Sequence, residues 1–90
     1  MPSKTELAQL LAELEEEYRF WTVEAIALER GIENLEEKLD QHEAHIGPDR
    51  VAEFRVRLSR TRERHARIEK RILSVRQQLQ ELKTRLAAMP

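Results

Sequence analysis

The stretch His45-Ile46-Gly47-Pro48-Asp49-Arg50-Val51 divides the chain into two halves of similar length. Within it, Gly47 can adopt the left-handed backbone conformation that closes a helix, and Pro48 presets the backbone of the first turn of the next one. Asp49 favours the positive dipole end of that second helix. The stretch therefore predicts a chain reversal, with a first helix over about 3–46, a turn at 46–49 and a second helix over about 49–88.

Both flanking segments carry a heptad seam, in which residues recur at alternating spacings of three and four. Each seam is sustained over more than five heptads, which is typical of a coiled coil. A connection of only a few residues makes the two helices antiparallel neighbours. We therefore predict an all-α fold, a single domain over 1–90 that forms an antiparallel coiled-coil hairpin. The seams are Leu7, Leu11, Leu14, Tyr18, Trp21, Ala25, Leu28, Ile32, Leu35, Leu39, His42 and Ile46, then Val51, Phe54, Leu58, Thr61, His65, Ile68, Ile72, Val75, Leu79, Leu82, Leu86 and Met89.

The two halves carry opposite charge. Residues 1–47 have twelve acidic and four basic side chains, a net charge of −8, whereas residues 48–90 have five acidic and twelve basic side chains, a net charge of +7. Complementary flanks favour the antiparallel arrangement and disfavour pairing of like helices. The predicted register places Glu36 beside Arg55, Glu29 beside Arg62, Glu15 beside Arg76 and Glu24 beside Arg71.

The chain length and composition limit the class of protein. A chain of 90 residues buries too little surface to be stable without idealised packing, a covalent staple or oligomerisation. It has no cysteine, so disulfide staples and cysteine nucleophiles are excluded. We find no signal peptide and no apolar run that could span a membrane, and we expect a cytoplasmic protein with no membrane partner.

Several apolar residues lie outside the seams and gather near the middle of the hairpin. The register places Ile26 and Val23 of the first helix level with Leu73 and Ala66 of the second. Gly31 costs a helix about 1 kcal/mol relative to alanine, which indicates a packing role. We therefore expect two hairpins to dimerise into a four-helix bundle. The predicted interface consists of Phe20, Trp21, Val23, Ile26, Ala27, Gly31, Ala66 and Leu73.

The sequence offers no candidate for catalysis. It has no glycine-rich phosphate loop and no serine in a strand-to-helix turn, and a two-helix hairpin has no cleft in which a base could be oriented. We predict that the chain is not an enzyme and needs no cofactor. The first hypothesis is a structural or adaptor module that acts through self-association and through binding to a further protein, which the sequence does not identify.

The basic second helix supports an alternative hypothesis, in which the protein binds nucleic acid by neutralising phosphates. Most of its arginines flank the seam, where the acidic first helix is available to them. Only Arg60, Arg67 and Lys70 project clearly outward, and no aromatic residue is interleaved with them for base stacking. The net charge of −1 also gives little general attraction to a polyanion.

The three histidines raise a third hypothesis, a metal-binding bundle. Metal sites in helical bundles use glutamate and Glu-x-x-His groups that project inward, and the chain has no Glu-x-x-His. His65 lies on the second seam near Glu29 and Glu69, an arrangement that more often reflects a histidine bonded to a carboxylate. We therefore assign no metal ligand from the sequence, and His42, His45 and His65 remain the only candidates.

Overall fold

The protein folds as a helical hairpin. A computed structural model describes residues 2–42 and 45–90, with the backbone alone at His42. Its two helices are α1 (Lys4–His42) and α2 (Pro48–Ala87), which pack along each other in a rod of 66 × 16 × 15 Å. The described part of the chain has no strand. The predicted all-α hairpin is confirmed.

The first turn of α1 is capped by a side chain. The backbone N–H of Glu6 donates to Ser3 Oγ at 3.1 Å, and the N–H of Leu7 donates to the carbonyl oxygen of Ser3 at 3.0 Å. These bonds satisfy two of the amides that have no partner within a helix's first turn. Ser3 therefore sets the start of α1.

The reversal differs from the prediction at the end of α1. The described part of this helix ends at His42, and it does not extend to the predicted limit at 46, because His45 and Ile46 lie in a turn and a bend. Gly47 has a positive φ of 51° but an extended ψ of 151°, and it caps α2 instead of closing α1. A residue that precedes proline is disfavoured in helical conformations, which explains the extended ψ. Residues 43 and 44 lie outside the described part of the chain.

The heptad seam forms the core. Every seam residue whose side chain is described is buried or half-buried. A buried hydrophobic cluster lies at the open end of the hairpin, where both termini are, and its member Val75 has no exposed surface. The cluster consists of Leu7, Leu14, Val75, Leu79 and Leu82, with Leu11, Tyr18, Leu86 and Met89 packed against it.

Two polar residues occupy seam positions in the middle of α2. Thr61 satisfies its hydroxyl within its own helix, by donating to the carbonyl oxygen of Arg57 at 2.7 Å. His65 instead contacts α1, with its Nε2 atom 3.2 Å from Glu29 Oε1. Of these two residues, His65 is therefore the one whose polar atoms join the helices.

Candidate functional site

A groove runs between the helices near the middle of the hairpin. Ile26 lies on its α1 side and Leu73 on its α2 side. Both residues are exposed, with exposed fractions of 45% for Ile26 and 58% for Leu73. The groove is lined by Tyr18, Thr22, Ala25, Ile26 and Glu29 from α1, and by Glu69, Ile72, Leu73 and Arg76 from α2. We call it the central groove.

The predicted interface residues are spread around α1 and do not share one face. Because a helix turns about 100° per residue, Phe20, Val23 and Ile26 step around α1 by about 60° each. Only Ile26 and Leu73 of the predicted set line the central groove, so Phe20 faces a different side of the rod. Of the predicted set, the structure exposes Phe20, Val23, Ile26, Ala27, Ala66 and Leu73, and leaves Trp21 and Gly31 half-buried.

Gly31 is not required by the hairpin itself. A Cβ atom built on it would meet no atom within 4 Å, and its φ is not positive. The intramolecular packing therefore gives no reason for a glycine at this position. Whether another helix packs against Gly31 stays a prediction.

Trp21 is held by a polar contact and an aromatic contact. Its indole Nε1 donates to Glu17 Oε1 at 3.2 Å, and its ring meets that of Phe20 edge to face at a centroid distance of 4.9 Å. Arg71 donates to the same Glu17 oxygen through Nε at 2.7 Å and through Nη2. The Arg71 guanidinium, followed by the Trp21 indole, lowers the pKa of Glu17 from its ordinary value.

The ion pairs between the helices differ in detail from the predicted pairs. Arg62 donates to Glu36 at 2.6 Å, one heptad further along α1 than the predicted Glu29. Likewise, Arg71 pairs with Glu17, one heptad before the predicted Glu24. Glu24 instead pairs with Arg64, whose Nη2 lies 3.8 Å from Glu24 Oε2. Long side chains can reach a turn or more along a helix, so a level-by-level register does not determine which acid each arginine meets. The predicted principle, acidic α1 against basic α2, is still followed by these three pairs.

The residues proposed for nucleic-acid binding are all accessible. Arg60, Arg67 and Lys70 are exposed, and none of them pairs with a carboxylate in the described part of the chain. Arg57, by contrast, stacks over the Phe54 ring, with its guanidinium carbon 5.9 Å from the ring centroid. The Phe54 ring is therefore already in contact with a cation, and nucleic-acid binding stays a prediction.

The histidines have different surroundings. His65 is half-buried, and its Nε2 lies 3.2 Å from Glu29 Oε1 and 3.6 Å from Glu69 Oε1, which confirms the predicted proximity of these three residues. His45 is exposed in the turn. The side chain of His42 lies outside the described residues, so the candidate pair of His42 with His45 is not tested.

Two further apolar residues, Leu10 and Val56, are exposed but were not among the predicted interface residues. Leu10 lines a shallow groove with Leu14, Leu82 and Arg85 at the open end. Val56 lines another with Leu28 and Arg60 near the turn. Both residues lie off the seams, so the heptad positions alone could have identified them as exposed.

Comparisons with protein families, with curated proteins and with solved structures found no match. Within the described residues, neither α1 nor α2 contains an apolar stretch long enough to cross a membrane. The function therefore has to be inferred from the surface of the hairpin itself.

Proposed function

We propose that this protein is a structural module that self-associates, with two hairpins packed central groove to central groove as a homodimeric four-helix bundle. The observation that carries the proposal is the pair Ile26 and Leu73, one on each helix, exposed across a single groove. Burying such side chains contributes about 1.5–3 kcal/mol each when burial is complete. A single hairpin cannot cover them, because it has only two helices.

The side of the hairpin that contains the central groove is large enough for a stable dimer. A face 66 Å long and 16 Å wide spans on the order of 1,000 Å², and a stable interface buries about 800 Å² on each partner. By dimerising, a two-helix chain also buries the additional apolar surface that a domain of this size otherwise lacks. Size and stability therefore both favour a second copy as the occupant of the groove.

The charges of the helices favour one orientation of the two copies. If the two-fold axis runs parallel to the helices, acidic α1 of each hairpin lies over basic α2 of the other. If the axis runs across the helices, α1 lies over α1 and α2 over α2, which brings like charges together. The first arrangement is complementary, since residues 1–47 carry −8 and residues 48–90 carry +7, and it makes all neighbouring helices antiparallel.

The same orientation brings the apolar residues together. Rotation about an axis parallel to the helices leaves each residue at its level along the rod. Ile26 of one copy would then lie across from Leu73 of the second copy, and the reverse contact would repeat by symmetry. Phe20 and Val23 would stay on the outer surface of the bundle, and we propose that this dimer presents its outer faces to a further protein.

Solution mass tests the proposal directly. We expect sedimentation equilibrium of the full chain over a wide concentration range to give twice the chain mass of 10.7 kDa. The double variant Ile26→Glu with Leu73→Glu places four carboxylates in the contact and should sediment as a monomer. Circular dichroism of the same samples determines whether the variant keeps its helices.

A matched control separates the groove from general surface effects. Leu10 and Val56 have exposed fractions of 45% and 51%, close to those of the groove pair, and likewise lie one on each helix. Leu10→Glu with Val56→Glu should leave the dimer intact. A native chain that remains monomeric at all concentrations, or a groove variant that stays dimeric, would contradict the proposal.

A further inference from the structure

A cluster of three potential metal ligands lies at the centre of the hairpin. Glu29 comes from α1, while His65 and Glu69 come from α2. One ligand atom from each residue can be chosen so that all three atoms lie within 4.8 Å of one another. Because His65 and Glu69 are four residues apart on one helix, they share a face, and Glu29 meets them from the opposite helix.

His65 is fixed in position by the packing of the helices. It occupies a seam position, and its side chain is 16% exposed, compared with 53% for Glu29 and 58% for Glu69. The ring is therefore anchored between the helices while both carboxylates remain accessible to solvent. An ion can reach such a site and keep a water molecule, as open zinc sites do.

Through Nε2, His65 can donate a hydrogen bond to only one of the two carboxylates. A neutral imidazole carries at most one hydrogen on Nε2, and two carboxylate oxygens lie 3.2 and 3.6 Å from that atom. In the described part of the chain, no lysine or arginine pairs with Glu29 or Glu69. By contrast, Glu17, Glu24 and Glu36 each pair with an arginine of α2.

The sequence of α2 sharpens this contrast. From Arg55 onward, every seventh residue along one flank of the helix is basic except at the cluster. The row reads Arg55, Arg62, Glu69, Arg76 and Lys83. Glu69 thus places a negative charge opposite the acidic helix at the one level where α1 also presents Glu29. At this level the two carboxylates therefore have His65 beside them in place of a lysine or arginine.

We propose that Glu29, His65 and Glu69 bind a divalent transition-metal ion of the zinc class. His65 would coordinate through Nε2 and each glutamate through one carboxylate oxygen, with water in the fourth position. Ligand atoms on a tetrahedron with bonds of about 2.0–2.1 Å are separated by about 3.3–3.4 Å. The distances of 3.2 and 3.6 Å from Nε2 to the two carboxylates fit that spacing. The imidazole ligand favours zinc, copper, nickel or iron over magnesium and calcium.

Metal binding does not depend on self-association, because one chain supplies all three ligands. Since the ion would join α1 to α2, it stabilises the folded hairpin in proportion to its affinity. In the proposed dimer, the cluster lies on the contact face. There, a bound ion also offsets the repulsion among the four carboxylates that two copies bring together.

Calorimetric titration of the full, untagged chain with Zn²⁺ tests the site. We expect one ion per chain and a rise in the melting temperature on binding. His65→Leu should abolish saturable binding, and Glu69→Gln should weaken it at least tenfold. Leucine suits a seam position, so His65→Leu should stay folded, and circular dichroism verifies this. Co²⁺ in place of Zn²⁺ should give the intense visible bands of a four-coordinate site.

His45→Ala is the matched control, since it removes an exposed histidine of the turn, and it should leave Zn²⁺ affinity unchanged. Zn²⁺ binding that survives His65→Leu, or that is lost in His45→Ala, would overturn the proposal by locating the ligands elsewhere. Failure of the native chain to bind Zn²⁺ at millimolar concentration would overturn it as well.

Discussion

The open end of the hairpin and its middle follow the same heptad pattern but are completed differently. At the open end, Leu82 and Val75 belong to a cluster that is buried within one chain. In the middle, polar His65 takes a seam position, while apolar Ile26 and Leu73 lie outside the seam in water. The core at the open end is therefore completed within one chain, whereas the middle leaves apolar side chains exposed. This difference is the reason for proposing that the dimer contact lies at the centre of the hairpin.

The largest effect should come from the open end. Leu82→Ala removes a buried side chain from the cluster and should lower the free energy of unfolding by about 2–5 kcal/mol. Leu73→Ala makes the same change at an exposed position. It should reduce self-association more than the stability of a single hairpin. Chemical denaturation at several protein concentrations separates the two effects, and equal losses for both variants at high dilution would remove the contrast.

The turn should show the next largest effect. Gly47 has a φ of 51° with an extended ψ, a region of the backbone map that only glycine populates readily. Gly47→Ala should therefore lower the free energy of unfolding by about 1–3 kcal/mol, as thermal denaturation would measure. Unchanged stability would show that the turn can adopt another conformation without strain.

Gly31→Ala should act in the opposite direction. Nothing within 4 Å opposes a methyl group at Gly31, so alanine should raise the free energy of unfolding by about 0.5–1 kcal/mol through its higher helix propensity. Because Gly31 does not line the central groove, we expect the solution mass to stay the same. A fall in mass would instead move the assembly surface to the Gly31 side of α1.

The smallest effect concerns the link between Glu17, Arg71 and Trp21. Glu17→Gln should lower the free energy of unfolding by about 0.2–1 kcal/mol at neutral pH, the range of exposed ion pairs. Because folding lowers the pKa of Glu17, its stabilisation is present above the ordinary glutamate pKa of about 4.3. It disappears as the pH falls through the lowered value.

Denaturation of native protein and of Glu17→Gln across this pH range should therefore show curves that converge in acid. Glu16→Gln changes an exposed neighbour and serves as the control, with no difference expected at any pH. A gap between native protein and Glu17→Gln that persists in acid would assign the effect to packing of the side chain.

The helices and the seam could be predicted from sequence because their signals are local. The spacing of Leu7, Leu14, Val75 and Leu82 fixes which face of each helix is buried, and the structure buries all four. The end of α1 could not be placed to the residue, since it depends on how the backbone enters Pro48. The partner of Arg71 could not be predicted either, because a long side chain can reach acids one heptad apart.

The candidate site was only partly visible in the sequence. Heptad sorting identified Ile26 and Leu73 as exposed, and the register brought His65 close to Glu29 and Glu69. Whether Phe20 shares a face with Leu73 depends on the rotation of α1 about its axis, and only the structure shows that the groove excludes Phe20. Local patterns thus predicted which residues are exposed but not which of them act together.

The most direct test of the central claim is an isotope-filtered nuclear Overhauser measurement on a mixture of ¹³C-labelled and unlabelled chains. Methyl groups of Ile26 in one copy should show contacts to methyl groups of Leu73 in the other, since the groove-to-groove dimer places them across the interface. Intermolecular contacts at Phe20 and Val23 without any at Leu73, or no intermolecular contacts at all, would contradict it.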